Sequence, residues 1–366
     1  MQAKEIIQAI EAYAPLQYQE SYDNSGLQVG DANAEVKGVL LTLDVTEAIV
    51  QEAIQRGCNM IVAHHPLIFS GLKRIAGRNY VERVVQQAIK NDIIIYAAHT
   101  NLDNVHNGVN AKIAAKLSLK DTTILSMMPG TLRKLYTYVP IAAADKVRDA
   151  MFGAGAGSIG AYRECSYNME GNGTFRPGPD TNPYIGTPNG PRQNVPEVKI
   201  EVLLATHSEH AVLRAMKTAH PYEEVAYDIV PLSNVNQELG AGMIGTLPEA
   251  MELQTFLGFL KTQMKVNCIR YTADTGRPIQ KVAVCGGSGS FLLKNAMAAG
   301  ADVFVTADYK YHQFFDAEGR IVIADIGHYE SEQFTIEIFE DILKEKFPNF
   351  AILLSDLSTN PVNYFC

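Results

Sequence analysis

The chain has 366 residues, 47% hydrophobic and 19% charged, with a formal net charge of −9. That is enough chain for two or three domains, and an acidic balance without a Lys/Arg run excludes the electrostatic footprint of a nucleic-acid binder. The five cysteines (Cys58, Cys165, Cys268, Cys285 and Cys366) form no C-x-x-C pair, which fits a reducing, cytoplasmic setting and excludes a disulfide frame or a thiolate zinc site.

The start, MQAKEIIQAIEAYAPL, is interrupted by Lys4, Glu5 and Glu11. It reads as an amphipathic helix and not as a signal peptide. No apolar run approaches the roughly 20 residues of a membrane span. Val39 to Leu43 is a short buried-strand run, and Thr46 is placed to cap a helix that has Glu47 in its first turn and Gly57 at its end. Met60 to Ala63 is a second strand, Val81 to Lys90 a helix, and Ile93 to Ala98 a third strand. Strands separated by helices predict a mostly parallel sheet, and residues 1–131 are read as a first α/β lobe.

Residues 132–235 have a different texture. Strands are expected at Leu135 to Val139, Ala161 to Asn168, Val198 to Ala205 and Val225 to Val230. Helices are expected at Ala142 to Phe152 and, capped by Ser208, up to Ala219. Residues Gly171 to Pro196 are dense in Gly, Pro and Asn and read as a long exposed loop. The order β-α-β-β-α-β predicts an inserted ferredoxin-like α+β domain.

Residues 236–366 repeat the first texture and are read as a second α/β lobe. Val39 and Val282, and likewise Gly57 and Gly300, are separated by 243 residues, and Met60-Ile61-Val62 reads against Val303-Phe304-Val305. His99 and Asp103 precede His328 and Glu332 by 229 residues. The expected fold class is α/β, two similar lobes facing each other across a shared cleft.

The candidate chemistry lies at strand exits, where open α/β sheets place their ligand sites. His64 and His65 follow a buried strand and precede Pro66. Adjacent imidazoles there are placed to reach two ions of a close pair. His99 with Asp103, and His328 with Glu332, each set a carboxylate four residues after a histidine, a spacing that shares one helix face. Taken singly, each histidine is more simply a hydrogen-bonded core or surface residue; three such strand exits together favour a metal site. Nitrogen and oxygen donors without thiolate suit zinc, iron, manganese, cobalt or nickel. Five ligands, His64, His65, Asp103, His328 and Glu332, exceed the three usual for one catalytic zinc. They fit two divalent metal ions per subunit, with Glu332 as the bridge and His99 as a supporting residue or proton shuttle. Gly286 to Ser290 (GGSGS) is either an anion-cradling loop or a plain strand–helix turn. Asp308, Lys310 and His312 either touch substrate or line a solvated rim, and His220-Pro221-Tyr222-Glu223-Glu224 reads as a structural turn.

Five stretches resemble the family of GTP cyclohydrolase 1 type 2 homologues, also called NIF-three-like proteins: YDNSGLQVG from Tyr22, IVAHHPLIF from Ile61, AHTNLD from Ala98, CGGSGS from Cys285 and GHYESE from Gly327. They occur in the family's order across nearly all the chain outside the insert. Tyr22 departs from the Trp usual in the family. The resemblance implies a dinuclear site with His64, His65, Asp103, His328 and Glu332 as ligands and Glu332 shared. It also implies a CutA-like or PII-like insert, carried by HPYEEVAYDI from His220, and a toroidal homohexamer. The implied activity is opening of the GTP purine ring with release of formate, a metal-dependent hydrolysis of a small-molecule substrate of the nucleotide class. Two readings compete with it: a two-metal hydrolase of another substrate, and a metal-binding regulatory protein that senses a small molecule without catalysis.

Overall fold

The computed structural model describes residues 1–365. The chain forms two compact units: Met1–Met127 together with the chain from Gln237 onward, and Met128–Asn236. Among the described residues no helix is long and apolar enough to cross a membrane.

The first unit contains two sheets. One has the order Gly26–Val29, Ile94–Ala97, Met60–Ala63, Val39–Thr42, Ile352–Leu354, parallel except for Gly26–Val29. Its three central strands are buried at every residue, as expected of parallel strands covered on both faces. The other sheet has the order Arg270–Tyr271, Val322–Asp325, Val303–Ala307, Ile279–Ser288, Gly240–Met251, Lys120–Met127, with a parallel centre and antiparallel flanks. Each half of the unit therefore lends a strand to the other's sheet. Lys120–Met127 leaves the first half for the second sheet, and Ile352–Leu354 returns from the end of the chain to the first.

The connecting helices follow from local chemistry. Thr46 accepts from the Ile49 N–H and caps Glu47–Gln55, and Gly57, at φ +71°, ends it in the left-handed conformation that glycine adopts without strain. Asn79 caps Tyr80–Lys90 through the Glu82 N–H at 2.9 Å. The apolar faces of these helices, with Ile49, Val50, Val84 and Val85, close over Leu40, Ile61 and Ile95.

Strand register is alike in the two sheets. Val39 pairs with Met60 and Val282 with Val303; Ala63 pairs with Ala97 and Thr306 with Asp325. His99 lies two residues beyond Ala97, whereas His328 lies three beyond Asp325. The additional residue falls at the strand exit that holds Gly327, whose φ is +92° and where an added Cβ would lie 2.3 Å from Glu330 Oε2.

The second unit is a four-stranded antiparallel sheet in the order Ser166–Phe175, Gln193–Ala205, Leu132–Pro140, Tyr227–Pro231. Helices Ala144–Gly153 and Glu209–Ala219 cover one face through Val147, Met151, Val212 and Met216, against Leu135, Val139, Ile200 and Val202. The long loop expected over Gly171 to Pro196 is shorter. The ladder runs on to Phe175 and resumes at Gln193, with Gly171 opposite Glu197 and Gly173 opposite Val195. Glycine is tolerated because this is an edge strand, and at Gly173 the Glu197 carboxylate occupies the space a side chain would take: a Cβ there would lie 2.0 Å from Glu197 Oε2. Ser208 does not cap its helix by side chain; its hydroxyl turns back to the Ala205 carbonyl at 2.9 Å.

Candidate metal centre

His64 and His65 leave the end of Met60–Ala63 with both backbone N–H groups tied to the neighbouring strand exit at Leu43. The His64 ring is fully buried, and its Nδ1 donates to the Ala98 carbonyl at 2.9 Å. A carbonyl only accepts, so that bond fixes the tautomer and leaves Nε2 bare. Nε2 has no hydrogen-bond partner and faces Asp103 Oδ1, which also lacks one, at 3.6 Å. An unpartnered buried polar atom costs on the order of 1–3 kcal/mol; a cation between the two satisfies both.

The same plan recurs at the other two imidazoles. His65 Nδ1 meets Asp44 Oδ1 at 2.7 Å, and its Nε2 reaches Glu332 Oε2 at 3.0 Å. His328 Nδ1 meets Asp308 Oδ2 at 2.7 Å, and its Nε2 reaches the same Glu332 Oε2 at 3.1 Å. The two Nε2 atoms are 3.3 Å apart. Glu332 is nearly buried, and its second oxygen, Oε1, lies 3.8 Å from His64 Nε2. Each oxygen of one carboxylate thus faces a different group: His65 with His328, and His64 with Asp103. Both groups, completed by Glu332, converge tightly enough to hold a metal ion.

Gly286 and Gly287 leave room for this carboxylate. At Gly287, φ +61°, an added Cβ would lie 2.4 Å from Glu332 Oε1. Their N–H groups donate to Asn110 Oδ1 and Ser331 Oγ, and the segment continues the strand Ile279–Ser288. The stretch thus continues the strand through Ser288 and turns at Gly289 into the helical segment that begins at Ser290, as a strand–helix connection.

His99 is differently placed. It stands immediately before the short helix Thr100–Asp103, and its carbonyl accepts from the Asp103 N–H at 3.1 Å. Its Nδ1 contacts Asp23 Oδ1 at 2.8 Å, and its ring centre lies 5.3 Å from that of His64 and 5.4 Å from that of His65. Its ring nitrogens are close enough to those of His64 and His65 to form a third group able to hold an ion. Asp23 is held by Ser25 Oγ at 2.9 Å and by the Thr100 N–H and hydroxyl.

The charges interlock. Burial opposes ionisation of Glu332, yet the bonds from His328 and His65 hold it well below the usual carboxylate range. Burial, reinforced by the charge on Glu332, pushes Asp103 up to about 7. Burial disfavours protonated His65 and His328, but their carboxylate partners outweigh it and raise them to about 10 and about 11. His65, His99 and His328 open onto a cleft of roughly 770 Å³ also bordered by Arg270, Asn360 and Tyr364. Lys310 and His312 are exposed.

Nothing in the sequence gives Asp44 or Asp23 a role, and Asp308, expected either to touch substrate or to line a solvated rim, is instead the partner of His328. The sequence also gives no sign of the segment after Leu354, where Thr359 Oγ1 donates to Asp44 Oδ2 at 2.6 Å and Asn360 Nδ2 to Glu330 Oε1 at 3.0 Å. The one local signal for Asp44 is its position at a strand exit, beside that of His64.

Fold and site together define an α/β protein whose clustered histidines and carboxylates are able to hold metal. The chain belongs to the Duf34/NIF3 (NGG1p interacting factor 3) family, whose pattern matches residues 1–361. A Bacillus subtilis protein named GTP cyclohydrolase 1 type 2 homolog is 39% identical over 367 residues, covering 99% of this chain and 98% of that relative. The crystal structure of a Bacillus cereus protein related to NIF3 superposes with a TM-score of 0.87 at 39% identity, covering 100% and 99% of the two chains. Staphylococcus aureus protein SA1388 gives a TM-score of 0.78 at 29% identity, covering 100% of this chain and 99% of its own.

Proposed function

We propose that the protein is a hydrolase dependent on two divalent metal ions, one held by His64, Asp103 and Glu332 and the other by His65, His328 and Glu332. The observation that carries this reading is the splitting of Glu332 between two imidazole groups, Oε2 toward His65 and His328 and Oε1 toward His64. Divalent ions at such a site supply Lewis-acid activation of water and of a substrate oxygen. The protein's own residues do the rest. Asp44, Asp308 and the Ala98 carbonyl orient the imidazoles by their Nδ1 atoms. Asp23 orients His99, which stands at the cleft as the group that accepts or returns a proton. The cleft is of the size that small-molecule ligands require.

The first substrate is a purine nucleotide, with GTP ring opening and formate release as the reaction; it rests on the names of the relatives and on the sequence resemblance. The unit Met128–Asn236 is read as a ferredoxin-like insert, a reading supported by its antiparallel order, with the second and third strands paired at one side and the first and fourth at the other. A homohexamer is the proposed assembly. The test is incubation of zinc-, manganese-, iron-, cobalt- or nickel-loaded protein with GTP and measurement of formate. Formate that disappears in Glu332→Ala is expected; none under any of the metals removes GTP as substrate. Metal content that is unchanged in Glu332→Ala removes the bridging role itself.

A further inference from the structure

The unit Met128–Asn236 contains a second cavity, of roughly 700 Å³, remote in composition from the histidine cluster. Its floor is the sheet face not covered by helices. Side chains alternate along a strand, so Val198, Ile200 and Val202 enter the helix-covered core, while Glu197 and Lys199 point the other way, into the cavity. The segment between Phe175 and Gln193 and the turn at Tyr222 wall it, and the Asn182 N–H donating to Glu223 Oε1 at 2.8 Å joins the two.

Glu197 is the unusual member. It is only 8% exposed. One oxygen, Oε1, accepts from the Tyr222 hydroxyl at 2.7 Å. Among the described residues nothing donates to Oε2, and no cationic side chain forms an ion pair with this carboxylate. Buried carboxylates are ordinarily paired. Two basic side chains of this unit, Lys199 in the cavity lining and His220 beside Tyr222, are already committed. Lys199 Nζ bonds Glu201 at 3.0 Å and lies over the Tyr136 ring. His220 donates from Nε2 to the Tyr138 carbonyl at 3.0 Å and accepts at Nδ1 from the Tyr222 N–H at 3.1 Å, which fixes it as the neutral ring; burial also holds its pKa below the ordinary imidazole value. These bonds hold His220 in the turn, and what it positions is Tyr222.

Tyr222 also centres an aromatic wall. Phe175 and Tyr184 each lie 6.1 Å from it, ring centre to ring centre. Gly173 is bare so that the Glu197 carboxylate can occupy the place its Cβ would fill. A carboxylate withheld from every protein cation, set among aromatic faces in a cavity of drug-like size, has the chemistry that receives organic ammonium or amidinium groups. Glu223 and Glu224 add negative charge at the border against Arg176, which is exposed.

We propose that this cavity is a binding site for a small organic cation with an apolar or aromatic body, its charged group against Glu197 and its body against Phe175, Tyr184 and Tyr222. The site belongs to the Met128–Asn236 unit and does not depend on the metal reading.

The test uses the full chain and four matched probes: benzamidinium, benzyltrimethylammonium, benzyl alcohol and benzoate, followed by calorimetry and saturation-transfer NMR. The cations are expected to bind at least about tenfold more tightly than the alcohol or the carboxylate, since both offer positive charge to Glu197 and the aromatic faces, and benzamidinium adds N–H donors for the carboxylate. Glu197→Gln keeps the Tyr222 bond and removes the charge; it is expected to abolish that preference with the melting temperature unchanged. Should Glu197→Gln fail to fold, Tyr184→Ala, at a 59% exposed position, is expected to weaken cation binding several-fold on a folded protein. The proposal is overturned if neither cation binds at millimolar concentration, if benzyl alcohol or benzoate binds as well, or if the variant that folds retains full affinity.

Discussion

His65 and His328 each spend one ring nitrogen on a carboxylate, Asp44 or Asp308, and turn the other toward Glu332. Such partners of a ligating imidazole are commonly worth 10–100-fold in metal affinity. Asp44→Ala and Asp308→Ala are therefore each expected to lower affinity by about that factor, read by competition with a chelating dye, with the far-ultraviolet dichroism unchanged; wild-type affinity in both would refute the orienting role. A pH dependence follows from the same pairs. In the metal-free protein both histidines have pKa values above the unfolded value of 6.5, at about 10 and about 11. Their contribution to stability is complete below pH about 6.5 and is lost as pH rises through 10 to 11. Metal must displace those protons. Binding at pH 7 is expected to release protons, seen as a calorimetric enthalpy that varies with the ionisation enthalpy of the buffer; an enthalpy independent of buffer would contradict it.

Strand exits place these side chains, and glycine makes the placement possible. Gly287→Ala puts a methyl 2.4 Å from Glu332 Oε1 at a position with φ +61°. The expected loss is about 1–3 kcal/mol of stability in denaturant unfolding, with reduced metal retention. A variant as stable and as metal-rich as wild type would show that Glu332 does not need that space. Gly57→Ala, with nothing near the missing Cβ, isolates the backbone component of the effect. At this scale much of the molecule is legible in the sequence. Continuous apolar runs at Val39, Met60 and Ile94 become buried parallel strands, and Thr46 caps its helix. The edge strand through Gly171 and Gly173 is not legible, because its composition is that of a loop and only the ladder to Gln193–Ala205 holds it extended. The roles of Asp44, Asp308 and Asp23 as partners of histidines are equally hidden. Each meets its histidine across 21, 20 or 76 residues, and a carboxylate that orients an imidazole carries no local pattern.

The exchange of Lys120–Met127 and Ile352–Leu354 knits the two halves of the first unit together and brings residues as far apart as His64 and Glu332 into one cluster. The convergence of those residues is legible from three histidine-bearing strand exits in a repeated pattern. The strand exchange is not, since a three-residue strand has no signature and its pairing is entirely long-range. Because the cluster belongs to one compact unit and Met128–Asn236 has its own core, added metal is expected to raise the melting transition of the first unit alone. At a free metal concentration 100 times Kd the gain is about 2.7 kcal/mol. Scanning calorimetry with and without chelator checks this, and an equal shift of every transition would contradict it.

In the proposed site one carboxylate, Glu332, joins two cation positions. Anomalous diffraction at the absorption edge of the bound metal, from crystals of wild-type protein, tests it directly. Two peaks are expected, one bounded by His64, Asp103 and Glu332 and one by His65, His328 and Glu332. A single peak, or a pair in which only one ion touches Glu332, would contradict the account.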